Sequence, residues 1–108
     1  MTNPMKGEIT IKLANKEYKT RLTIDAIIKI EAALDKGILN ITQHLSDADI
    51  RVHELVVILT HALRGGGNNI KEKDVMKLVG DAGLVPSCQA VAELLTSTLV
   101  SKDDSEKK

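Results

Sequence analysis

Apolar positions recur along the chain with two different periods, and the change of period marks out the expected elements. Glu8-Ile9-Thr10-Ile11-Lys12-Leu13 alternates polar and apolar residues, and Glu17-Tyr18-Lys19-Thr20-Arg21-Leu22 does so again after Ala14-Asn15-Lys16. A period of two belongs to strands with one face covered, so residues 7–22 are expected to form a β-hairpin joined by a tight turn. A lone hairpin is barely stable in water. Its Ile9, Ile11, Leu13, Tyr18 and Leu22 side must therefore lie on other elements.

From Thr23 onward the period is that of helices, expected over about 23–36, 40–46, 50–64, 72–80 and 86–100. Thr23 suits the N-cap of the first helix and Asp25 its first turn, Ile24, Ile27, Ile28, Ile30 and Leu34 share a face, and Gly37 stands where the helix should stop. Glu31 falls inside that apolar face. A carboxylate there is costly unless it meets a cation, with Arg21 and Arg64 as candidates, or the free amides of a helix end, and a structural role is expected for it. Asn40 can cap the short second helix, and Ser46-Asp47-Ala48-Asp49 supplies turn chemistry after it.

The helix over 50–64 is the longest apolar stretch and the expected centre of the fold. Val52, Leu55, Val56, Leu59, Ala62 and Leu63 fall on one face, while Arg51, His53, Glu54, Thr60, His61 and Arg64 fall on the other. Val57 points into the polar face and is the candidate partner contact. Gly65, Gly66 and Gly67 end the helix, with Gly65 suited to a left-handed C-cap. Val75, Leu78 and Val79 should face inward on the fourth helix. Pro86 fits the first turn of the last helix, whose buried stripe is expected to be Cys88, Val91, Ala92, Leu94, Leu95 and Leu99. Residues 1–5 read as a loose lead-in and 102–108 as a disordered polar tail. The expectation is one domain over 1–101, α+β and mainly α, with an N-terminal β-hairpin packed on a bundle of about four helices.

Composition narrows this picture. In 108 residues Tyr18 is the only aromatic, so the core must be aliphatic. Fifteen basic and fifteen acidic residues cancel, which removes the overall attraction for phosphate backbones that nucleic-acid binders use. Cys88 stands alone, so no intrachain disulfide forms, as expected in a reducing compartment. No apolar leader and no run long enough for a bilayer is found, and a cytoplasmic protein without membrane contact is expected.

Candidate chemistry is sparse. His53-Glu54 begins like a zinc-protease motif, but Val57 occupies the second histidine position, and His61 is too far along the helix to share an ion without a third ligand. The three glycines have no following Lys-Ser/Thr and no preceding strand, which removes the phosphate-loop reading. Cys88 lacks a basic neighbour in sequence. No nucleophile, base and orienter can be assembled, so neither catalysis nor a cofactor is expected. A helix, a glycine turn and a second helix bearing Asn68, Asn69, Lys71, Lys73 and Lys77 also allow a small helix-turn-helix DNA-binding regulator, against which Glu72, Asp74 and the zero net charge count.

The order of motifs resembles the gene transfer agent family of small phage-type proteins, grouped with phage tail assembly chaperones and also described as tail tube proteins. Lys6-Gly7-Glu8 opens the hairpin, Arg21-Leu22-Thr23 enters a helix reading Ile30-Glu31-Ala32-Ala33-Leu34, and Leu63-Arg64-Gly65-Gly66-Gly67 follows. Lys73-Asp74-Val75 and a Gly83-initiated helix containing Ala92-Glu93-Leu94-Leu95 complete the pattern, from about Lys6 to Val100. The resemblance implies a non-catalytic role in building a tail, through binding of the tape measure protein or tail tube subunits, in the host cell or in association with the particle. Self-association is compatible with it. The hairpin edge and Val57 are the contacts expected to serve it, while Glu31, Arg64 and the three glycines hold the scaffold.

Overall fold

The computed structural model describes the backbone of residues 8–107 and the side chains of residues 8–99. The expected lead-in over 1–5 lies outside the described residues. Two strands, β1 (Glu8–Leu13) and β2 (Lys16–Arg21), precede α1 (Ile24–Leu34), α2 (Ile38–Ser46), α3 (Val52–Gly65), α4 (Glu72–Ala82) and α5 (Leu84–Lys107). The architecture is the mainly helical α+β arrangement expected. The backbone of α5 is helical as far as Lys107, so helix extends into the segment read as a disordered tail, where neither glycine nor proline interrupts it.

β1 and β2 pair antiparallel with Ile9 opposite Thr20, Ile11 opposite Tyr18 and Leu13 opposite Lys16. The turn is shorter than expected, because Lys16 already pairs and only Ala14 and Asn15 are left to reverse the chain. Both are left-handed, at φ 52° and 68°, the pair of values that matches the twist of a two-residue hairpin. Ile11 and Leu13 are buried on a strand that packs on α5 and, less, on α4, and the buried Thr20 donates its hydroxyl to the Ile9 carbonyl at 2.7 Å.

Thr23 caps α1 as expected, its hydroxyl accepting from the Ala26 amide at 3.0 Å. The buried face differs from the expected one. Ala26, Ile30 and Leu34 are buried, whereas Ile24 and Ile28 are 55% and 57% exposed. α1 rests mainly on one helix, α3, so a stripe with a spacing of four is all that it can bury. Asp35, at φ 55°, takes the left-handed C-cap assigned to Gly37, and Gly37 instead precedes α2, which starts at Ile38 rather than Asn40.

α3 occupies the centre, touched by β2, α1, α4 and α5. Every residue from Glu54 to Thr60 is buried, together with Ala62 and Leu63. Val57 is therefore no surface residue: only 4% of it is exposed, and it belongs to the core. The wheel reading gave α3 one covered face, but a helix with neighbours around its circumference buries its apolar side chains on all sides. Val52, by contrast, lies in the first turn, before the packed section, and is 48% exposed. Beyond α3, Val75, Leu78 and Val79 of α4 are buried as expected. The chain bends by 116° between α4 and α5, with Gly83 at φ 98° in the break and Pro86 in the first turn of α5. The buried stripe of α5 is rotated from the expected one: Ser87, Ala90, Val91, Leu94, Leu95 and Thr98 are inside, and Cys88, Ala92 and Leu99 are half-buried.

Candidate functional site

The glycine run is the junction between the central helix and the hairpin. Gly65 is the last residue of α3 rather than its C-cap, and only Gly67 of the three has a positive φ, at 100°. What Gly65 and Gly66 supply is absence of bulk. A Cβ on Gly65 would fall on the Arg21 carbonyl, and one on Gly66 would fall on the Lys19 carbonyl with the Thr20 Cα at 2.8 Å. These carbonyls lie on the edge of β2 that faces away from β1, so the end of α3 covers that edge. Asn68 fixes the contact, its side-chain amide donating to the Lys19 carbonyl at 2.8 Å and to the Leu63 carbonyl at 3.0 Å. Arg64 donates through Nε to the Ile70 carbonyl at 2.9 Å and so holds the loop that follows.

Two carboxylates secure the helix ends on the other side of α3. Glu31 accepts from the Ile38 amide at 2.8 Å. This is the helix-terminal alternative expected for it, and neither Arg21 nor Arg64 is its partner. Glu54, placed on a polar face by the sequence, is 5% exposed. It accepts from the Arg51 amide at 3.0 Å and from Lys36 Nζ at 2.5 Å, tying the start of α3 to the α1–α2 turn. Burial pushes its carboxyl up, but these two hydrogen bonds and the charges of Lys36 and Arg51 outweigh that and hold it below the ordinary value.

Two hollows flank α3. The first, of about 330 Å³, lies between the start of α3 and α4 and is lined by Val52, His53, Val56, Glu72 and Met76. Its character is apolar, with Met76 59% exposed at its wall. Sequence reasoning missed Val52 and Met76 as surface features. The available signal was that Met76 falls off the Val75, Leu78 and Val79 stripe. The second hollow, of about 220 Å³, is lined by Thr23, Asp25, Ala26, Lys29, His61, Arg64 and Gly65. Burial there lowers the His61 pKa, and the charges of Arg64 and Lys29 add to the shift.

His53 and His61 thus line different hollows, and Cys88 is half-buried on α5. No group of three potential metal ligands occurs among the described residues. Asn68, a candidate base contact in a helix-turn-helix, is occupied with the hairpin, and Glu72 and Asp74 stand in the first turn of α4 beside Lys71 and Lys73. Among the described residues no single helix is long and apolar enough to cross a membrane. α4 and α5 reach that composition only as a sharply bent pair.

Comparison with known proteins agrees with the motif order. A family model described as phage tail tube protein, GTA-gp10, matches residues 6–101 and so spans the hairpin, the glycine junction and all but the end of α5. No curated protein and no solved structure was found to match. With both strands, the Leu63–Gly67 junction, four helices and most of the fifth inside one match, the chain belongs to the gene transfer agent and phage tail family.

Proposed function

We propose that this chain is a non-catalytic tail assembly protein, a chaperone that holds a segment of the tape measure protein until the tail is built. The carrying observation is the hollow between α3 and α4, where Val52 and Met76 keep large apolar surfaces exposed beside the polar His53 and Glu72. A methionine wall adapts to varied apolar side chains, and an open apolar groove with a polar rim suits reversible capture of one side of an amphipathic segment. The family match supports a role among tail components, and because Val57 is buried this reading assigns the contact to the hollow instead.

Co-expression with the tape measure product tests this reading. The chain should raise the soluble fraction of the tape measure and co-purify with it, and Met76→Glu should abolish both effects while leaving the fold intact. Unchanged tape measure solubility together with no complex would remove the proposal. The tail tube subunit serves as the parallel partner in the same experiment: a complex with it alone would redirect the role from the tape measure to the tube.

A further inference from the structure

We propose that β1 is a self-pairing edge, and that two copies of this chain join through antiparallel β1–β1 pairing centred on Thr10. The two edges of the hairpin are treated differently by the fold. The outer edge of β2 is covered by Gly65, Gly66 and Asn68. On β1 the hairpin register turns the amide and carbonyl groups of Glu8, Thr10 and Lys12 away from β2, because these residues alternate with the hydrogen-bonded pairs counted from the two-residue turn. Among the described residues none donates to or accepts from these groups, and Thr10 and Lys12 are exposed. An uncovered strand edge is a template for another strand.

The sequence of β1 selects which strand. Placing Thr10 opposite Thr10 of a second copy sets Glu8 opposite Lys12 and Lys12 opposite Glu8, using all three outward-facing residues of each strand. Moving the centre to Glu8 or to Lys12 would oppose like charges and leave outward groups unused. In the centred register the two outer rows of the exposed face alternate in sign, while the central row runs Lys19, Thr10, Thr10, Lys19. Arg21 stands opposite Glu8 within the hairpin, Glu8 meets Lys12 of the second copy, and that Lys12 stands opposite its own Glu17. Opposite charges directly across strands stabilise a sheet and like charges destabilise it. On the inner face the same register sets Ile9 against Ile11, which continues the apolar layer. The product is a four-stranded sheet with β2 at both ends, related by a two-fold axis and closed at two copies.

The test is the association state of the intact chain, measured by sedimentation across a concentration series to about 100 µM, a range that detects micromolar affinities. The wild type should dimerise. Lys12→Glu, which creates two like-charge pairs across the axis, should weaken the dimer by about tenfold or more. Inverting the whole row, Glu8→Lys, Lys12→Glu, Glu17→Lys and Arg21→Glu together, keeps opposite charges within each hairpin and across the axis and should restore the dimer, an outcome that damage to the fold cannot mimic. Thr10→Pro removes an amide the hairpin does not use and should yield a folded monomer. Under mild oxidation Thr10→Cys should form a covalent dimer, because directly opposed residues lie within disulfide reach, while Glu17→Cys should not. A wild type that stays monomeric throughout, a Lys12→Glu dimer of undiminished affinity, or a row-inverted variant that remains weakened would overturn the proposal. Tape measure capture by the α3–α4 hollow is read separately, through Met76→Glu, so either idea can fail alone.

Discussion

Alanine placed at four glycines in turn separates the tasks these glycines perform. At Gly66 the added methyl would land on the Lys19 carbonyl, with Thr20 Cα at 2.8 Å, whereas carbon atoms prefer about 3.5–4.0 Å. The strand must therefore withdraw by about 1 Å. Overpacking of this kind costs about 1–3 kcal/mol. The same withdrawal stretches the 2.8 Å bond from Asn68 to the Lys19 carbonyl, worth about 1 kcal/mol. Gly66→Ala should thus lose about 2–4 kcal/mol, equivalent to about 10–25 °C in Tm for a domain of this size. Gly65→Ala, which meets the Arg21 carbonyl, should lose about 1–3 kcal/mol. Gly67 has open space around it and a φ of 100°, so alanine there should lose about 1–2 kcal/mol from backbone strain alone. Gly80 lies exposed within α4 with nothing near its Cβ position, and alanine should stabilise the protein by about 0.5–1 kcal/mol. Urea denaturation of the four variants gives the order directly. If Gly65→Ala and Gly66→Ala fall within about 0.5 kcal/mol of Gly80→Ala, the close approach of helix and hairpin is refuted.

Three further outcomes are expected. Val57→Ala should destabilise the domain by about 2 kcal/mol in denaturant titration, the range of a truncated core side chain, and an unchanged midpoint would return Val57 to the surface. Glu31→Ala should lose about 1 kcal/mol in the same titration by freeing the Ile38 amide, and a neutral result would deny that the carboxylate holds the start of α2. Stability should also fall with acid, since the unfolded chain binds protons before the folded one does. The Glu54 contribution is complete above the ordinary carboxyl value of 4.5 and is lost as pH drops through the lower folded value, while His61 adds a loss of the same sign that begins as pH falls below 6.5. Urea midpoints measured from neutral to acidic pH should decline, and Glu54→Gln should flatten the part below 4.5; a rise in midpoint on acidification would contradict the sign.

The hairpin, the five helices and the placement of Thr23 and Pro86 were legible because each depends on local period or capping chemistry. Faces were less legible, since a helical wheel reports how many apolar positions exist but not how many neighbours will cover them. For α3 the neighbours surround it, so Val57, Thr60 and Glu54 are inside. For α1 the shortage of neighbours leaves Ile24 and Ile28 outside. Glu31 was readable as a residue in need of amides, but its donor comes from Ile38, beyond the helix end, and no periodicity names it. Glycine could be read as a helix terminator from sequence alone. Its role as clearance for a strand follows only from where β2 lies. The apolar hollow was missed for a related reason, because it arises between α3 and α4 and neither element contains it alone.

The packing of β1 against α5 has a consequence for biosynthesis. A nascent chain exposes its hairpin before the helix that β1 mainly packs against has left the ribosome, and in that interval the strand that carries Ile11 and Leu13 lacks part of its native cover. Slowing elongation just ahead of α5 lengthens that interval and should send more of the domain into inclusion bodies.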